Sequence, residues 1–263
     1  MTSLQSTSSL STTTQAAPSS VRRTGIAVAG VLAGLVPTVF GLNLTRMLLT
    51  GELADHQFHQ LTGQGLILCA LWIGGPLAIV RAGWTGRRPS TAAGLLHLSF
   101  ALGGLVTAFF APGGGLPLLM APIVLTGLLV WAAVPLRPRL TGLVRQVDPV
   151  LTPIALLAAA FYTPYAVAQV GLQNVATGHH AQNPHFSDMA WTVVVLVVLA
   201  ALGAVLPVAR GLVAVTGAGS VVIGVGGLAF GEGTAWSLTA LALGAVALGA
   251  LVVRRRLDPV AAS

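Results

Sequence analysis

The sequence predicts an all-α, polytopic transmembrane helix bundle of about eight spans. Three observations carry this. Only 7% of the 263 residues are charged and 55% are hydrophobic, whereas a water-exposed domain carries about 25% charged residues. Eight apolar segments recur, at roughly 25–48, 61–80, 91–110, 116–136, 149–172, 189–208, 211–229 and 235–253. Each is close to the roughly 20 residues of helix that cross a hydrocarbon core. Finally, twelve of the thirteen basic residues fall on one side of that threading. A barrel would need short segments of period-two alternation, which these continuous runs do not show.

The first segment follows Arg22 and Arg23. Arg81, Arg87 and Arg88 follow the second, and Arg137, Arg139 and Arg145 the fourth. Arg210 follows the sixth and Arg254, Arg255 and Arg256 the eighth; Arg46 alone lies opposite. Excess Lys/Arg marks the cytoplasmic side, so both termini are expected inside. Lys is absent, and Ala, Gly, Val and Leu are abundant. This coding bias suggests a GC-rich bacterial genome and hence the bacterial inner (plasma) membrane. The net charge of +7 reads as topology and headgroup contact, not as nucleic-acid binding.

Residues 1–22 read as a disordered Ser/Thr-rich cytoplasmic tail, residues 23–256 as the bundle and residues 257–263 as a short cytoplasmic tail. The first apolar run is too long for a cleaved leader and is read as a retained helix. Trp84 and Trp131 are placed near the inner boundary, and Trp191 and Trp236 near the outer one. Trp72 is expected inside the bundle. Cys69, the single cysteine, reads as a small core hydrophobe.

Two outer loops are long, at about 49–60 and 173–188, and each follows the first helix of a four-helix half. The others are glycine-bearing turns, Ala111 to Gly115 and Gly231 to Gly233. This spacing suggests a four-plus-four parallel pseudo-repeat, without residue identity between halves. Gly30 and Gly34 form a GxxxG in the first helix. Gly217, Gly224 and Gly231 share one face of the seventh, with Gly227 and Gly231 a second GxxxG. Small residues let helices approach closely in lipid, so the seventh helix is expected to be central.

The candidate chemistry is external. His56 and His59 lie in one long loop with Asp55. His179, His180 and His185 lie in the other, with Asp188 just after. Imidazoles and carboxylates are ligands for divalent transition metals. Parallel halves would bring both loops together over the bundle mouth. No established metal signature is present. Wet loop histidines, or a pH-sensing set titrating near pH 6.5, are the alternatives. Beneath them Tyr162, Tyr165, Gln169 and Gln173 form one stripe of the fifth helix beside Pro164. With Gln60, Gln64, Asn43 and Arg46 they sketch an outward-facing polar pocket. Tyr165 and Gln169 are expected against the first or second helix, near Asn43 or Gln64. Interhelical hydrogen bonding without a ligand is the competing account.

His97 is the one histidine inside the membrane and reads as a hydrogen-bonded core residue. Asp148 sits at the start of the fifth helix, where an acid suits the N-terminus. There is no P-loop, no Gly-x-Ser-x-Gly and no carboxylate deep in a segment. Transport, sensing or binding of a small solute or ion is therefore the expected class. The alternatives are a metalloenzyme using the outer histidines, or a non-catalytic subunit of a membrane complex. Reporter fusions after residues 55, 85, 180 and 258 should read outside, inside, outside and inside; any other order sinks the threading.

Overall fold

The computed structural model describes residues 19–52, 56–63 and 65–257. The helices are α1 (Ser20–Thr50), α2 (Gln57–Leu61), α3 (Leu66–Trp84), α4 (Thr91–Phe110), α5 (Leu116–Ala133), α6 (Leu151–Val175), α7 (Gly178–Gln182), α8 (His185–Val205), α9 (Leu212–Phe230) and α10 (Thr234–Leu257). No strand occurs among the described residues. Eight helical segments are long and apolar enough to cross a membrane. Phe109 and Leu118 are 79% and 80% exposed. Surfaces of this kind suit lipid, and the chain is a multi-pass membrane protein. Residues 1–18 and 258–263 lie outside the described residues; residues 20–22, expected in the disordered tail, form the first turn of α1, where Ser19 Oγ accepts from the Arg22 N–H at 3.4 Å.

Helix ends follow local chemistry. Ser90 caps α4 by accepting from the Ala93 N–H at 3.1 Å, as N-cap serines do. α1 and α9 stop at Gly51 and Gly231, whose φ of 69° and 83° is left-handed, a conformation suited to glycine.

The two halves share one order of neighbours. In the first, α1 lies against α3 and α5, α3 against α4, and α4 against α5. In the second, α6 lies against α8 and α10, α8 against α9, and α9 against α10. Each half is thus a closed square of four spans, and the squares meet where α4 lies on α8. α8 is the most buried span, with 67% of its membrane window enclosed.

Trp191 explains much of that burial. It was expected at the outer interface but is 0% exposed. α8 begins at His185, a turn earlier than the apolar run suggests, so Trp191 lies deeper. Its Nε1 donates to the Phe100 carbonyl at 2.8 Å. Gly104 of α4 makes room: a Cβ there would sit 2.6 Å from the indole. Trp72 is buried and stacks on Phe100, as expected. Tyr162 Oη donates to Ser220 Oγ at 2.8 Å, and Thr216 Oγ1 to the Leu196 carbonyl at 2.7 Å.

The glycine face of α9 packs within the chain. A Cβ at Gly224 would lie 2.5 Å from the Leu241 nitrogen, and one at Gly217 would lie 2.9 Å from Leu248. Gly231 is not part of that seam; it ends the helix. Gly30 touches Val80, but a Cβ at Gly34 would meet nothing within 4 Å. The Gly30/Gly34 pair is therefore not a helix seam.

Asp148 anchors the arginine-rich end, with its side chain 1% exposed. Oδ1 accepts from the Val150 and Leu151 N–H groups at 3.0 and 3.2 Å, which caps α6. Oδ2 meets Arg254 Nε at 2.7 Å and Arg210 Nε at 3.0 Å. Its own N–H donates to the Ala204 carbonyl at 2.8 Å, so the ends of α8 and α10, the approach to α9 and the start of α6 converge on one residue. Burial alone would raise the Asp148 pKa. The Arg254 hydrogen bond, the two backbone donors and the Arg254 charge outweigh it and hold the carboxyl below its ordinary value.

A carboxyl with a depressed folded pKa stabilises fully above its unfolded value, about 3.9, and that contribution fades as pH falls through the folded pKa. Thermal stability in detergent should therefore fall below about pH 4. Asp148→Asn should cost up to about 3 kcal/mol at pH 7 and be less sensitive across the acid window. Equal acid sensitivity in both proteins would remove Asp148 as the clamp.

Candidate metal centre

The first histidine loop leaves α1 through the Gly51 turn. Buried Gln60 folds it back by donating Nε2 to the Glu52 carbonyl at 2.9 Å. Thr62 Oγ1 and the Gly63 N–H then reach Met189 Sδ at 3.0 and 3.1 Å. Gly63 lies so close to α8 that a Cβ would sit 2.5 Å from Met189 Cα. The His56–His59 stretch is thereby docked on the start of α8.

The second loop hangs on Gln173, in the last turns of α6. Its Nε2 donates to the His180 carbonyl at 2.9 Å. Its Oε1 accepts from the Phe186 and Ser187 N–H groups at 3.2 and 3.3 Å. One buried amide thus ties α7 to α6 and satisfies two donors that a helix start leaves open. From the other side the Gly113–Gly115 turn supports the loop. Gly114 has φ 65°, and a Cβ there would fall 2.3 Å from the Pro184 nitrogen. Both the backbone conformation and the approach require glycine.

These supports bring five imidazoles together. The His56 ring lies 5.9, 5.4 and 5.3 Å from those of His179, His180 and His185. His59 lies 6.2 Å from His56 and from His185. His179 and His185 approach Nε2 to Nε2 at 3.1 Å. Two nitrogens about 2.1 Å from one tetrahedral zinc would stand about 3.4 Å apart. One ring nitrogen from each of His56, His179 and His185 lies within 4.8 Å of the other two. The Nδ1 atoms of His59, His180 and His185 are buried with no hydrogen-bond partner among the described residues. Phe186 stacks on His180 at 5.1 Å, giving the cluster an apolar wall.

The other sequence candidates distribute differently. Asp55 and Gln64 lie outside the described residues. Asp188 is buried one turn into α8, on the face of His185, and its Oδ1 has no partner among the described residues. It is not one of the three converging ligands. Asn43 and Arg46 are exposed on α1, where Arg46 pairs with Glu52 at 2.8 Å and Asn43 at 3.4 Å. Tyr165 and Gln169 do not pack on the first or second span, because α6 lies against α8 and α10. Tyr165 sits on Trp236 at 4.9 Å, and Tyr162 bonds Ser220. Gln169 is buried with Oε1 unpartnered among the described residues. The polar stripe is therefore mainly interhelical, and Gln173 is its link to the histidines.

No protein-family model matches the chain, and no curated protein or solved structure matches it.

Replacing Gln173 by Ala removes a strap and a helix cap together. The expected cost is about 1–3 kcal/mol for the stranded buried donors, with faster proteolysis within 176–184. An unchanged unfolding midpoint would show that the loop is held elsewhere.

Proposed function

We propose that this membrane protein binds a divalent transition-metal ion at the end of the bundle opposite twelve of its thirteen arginines. The function class is binding, sensing or entry of a small ion. The observation that carries this reading is the convergence of His56, His179 and His185 from two separate loops to within 4.8 Å. Three rings of the cluster, His59, His180 and His185, also keep a buried Nδ1 without a partner among the described residues, which supports a ligand over wet loop histidines. A nitrogen-rich set suits zinc, copper, nickel or iron, while calcium and magnesium take oxygen ligands. His59 or His180 can supply a fourth nitrogen after a side-chain rotation. Asp188, on the His185 face of α8, is suited to orient that imidazole, as outer-shell carboxylates do. By the arginine rule the cluster faces outward from a bacterial plasma membrane, with both termini cytoplasmic.

A metal-dependent enzyme is the second reading. Three protein ligands with an open fourth position are the usual catalytic arrangement of zinc. A closed four-histidine site would favour binding alone.

Purified wild-type protein should retain stoichiometric zinc or cobalt after desalting, measured by elemental analysis. His185→Ala and the pair His56→Ala/His179→Ala should lose it, while Arg46→Ala should keep it. Cobalt absorption would separate an open site, responsive to added azide, from a closed one. Absence of uptake by folded wild-type protein would end both readings.

A further inference from the structure

We infer that the groove between α4 and α5 binds an anionic glycerophospholipid from the leaflet on the arginine-rich side. This groove encloses about 550 Å³ and is remote from the histidine cluster. Two of its lining residues carry buried nitrogens without partners among the described residues. His97 is 5% exposed, yet its Nδ1 makes no hydrogen bond among the described residues. Trp131 Nε1, a donor only, is likewise buried and unpartnered there. Their rings lie 6.4 Å apart. The hydrogen-bonded core histidine expected from the sequence is thus not what His97 is. Gly127 lets α5 come up against the imidazole, since a Cβ there would lie 2.6 Å from His97 Nε2. Leaving such groups unsatisfied in hydrocarbon is costly.

The lining is ordered by polarity. Arg137 stands at the mouth, and Arg88 is held beside it by a 2.8 Å bond to the Arg137 carbonyl. One to two turns deeper come Trp131 and His97. Beyond them Leu102, Leu105 and Val124 line a purely apolar stretch. Charge, then donors, then hydrocarbon is the order of phosphate, ester carbonyl and acyl chain in a phospholipid. Guanidinium groups suit the phosphate, and the indole N–H suits the ester carbonyl. The surrounding arginines disfavour a choline headgroup and favour one without a cation.

The test is native mass spectrometry of the delipidated, detergent-solubilised protein. Phosphatidylglycerol and phosphatidylcholine of matched acyl chains are titrated separately. Wild-type protein should bind one phosphatidylglycerol in preference to phosphatidylcholine. Arg137→Gln, at an exposed position, and Trp131→Phe, which keeps an aromatic ring but removes the N–H, should each weaken binding about tenfold, as loss of one charge-assisted or buried hydrogen bond does. Arg139→Gln removes the same charge outside the groove and should bind as wild type. Equal affinity for the two lipids would overturn the inference. So would indifference to both groove variants, displacement of the lipid by a quinone, or a dimer abolished by Trp131→Phe.

Discussion

Inside hydrocarbon a polar group bonds to its own chain or stays unbonded at a cost of several kcal/mol. Most of the interhelical geometry here answers that demand. The Trp191 indole takes the Phe100 carbonyl, Tyr162 takes Ser220, and Thr216 takes Leu196. Each bond joins two helices at a fixed depth and rotation. The same demand gives meaning to the groups left over. Among the described residues, the unpartnered ring nitrogens fall in the histidine cluster and the α4–α5 groove, while Arg23 Nε, Gln60 Oε1 and Gln169 Oε1 are isolated cases.

α8 transmits this order to the candidate metal centre. It is enclosed by α4, α6 and α9, with glycines at 103 and 104 admitting its tryptophan. His185 is its first residue. One candidate ligand thus stands at the start of the most buried span, while His56 and His179 are brought to it by loops. Gln173, Gly114 and Met189 do that work, and none of them would touch the ion.

The sequence showed what depends on composition and length. Eight spans, the shared side of the arginines and the shared end of the two histidine loops follow from hydropathy and parity. Partner identity was hidden. Gln173 reads as one more member of a polar stripe, because a helical period reports a face and not what that face meets. Trp191 reads as an interface residue because α8 starts with the polar His185, Ser187 and Asp188, which hydropathy assigns to the loop. Asn43 and Arg46 were grouped with the fifth span by depth alone, although α1 and α6 belong to different squares. The role of Asp148 needed the three-dimensional meeting of Arg210 and Arg254, sixty and more residues away in the chain.

The histidine cluster straddles the seam between the two squares. His56 comes from a loop of the first, His179 and His185 from the second. A tilt of one square on the other would lengthen or shorten the reach of His56 and leave the His179–His185 separation alone. The three nitrogens therefore form a caliper across the seam, with two points fixed to one jaw and the third to the other. A cation held by all three would lock the jaws at one angle, and the tightness with which it is held would report that angle.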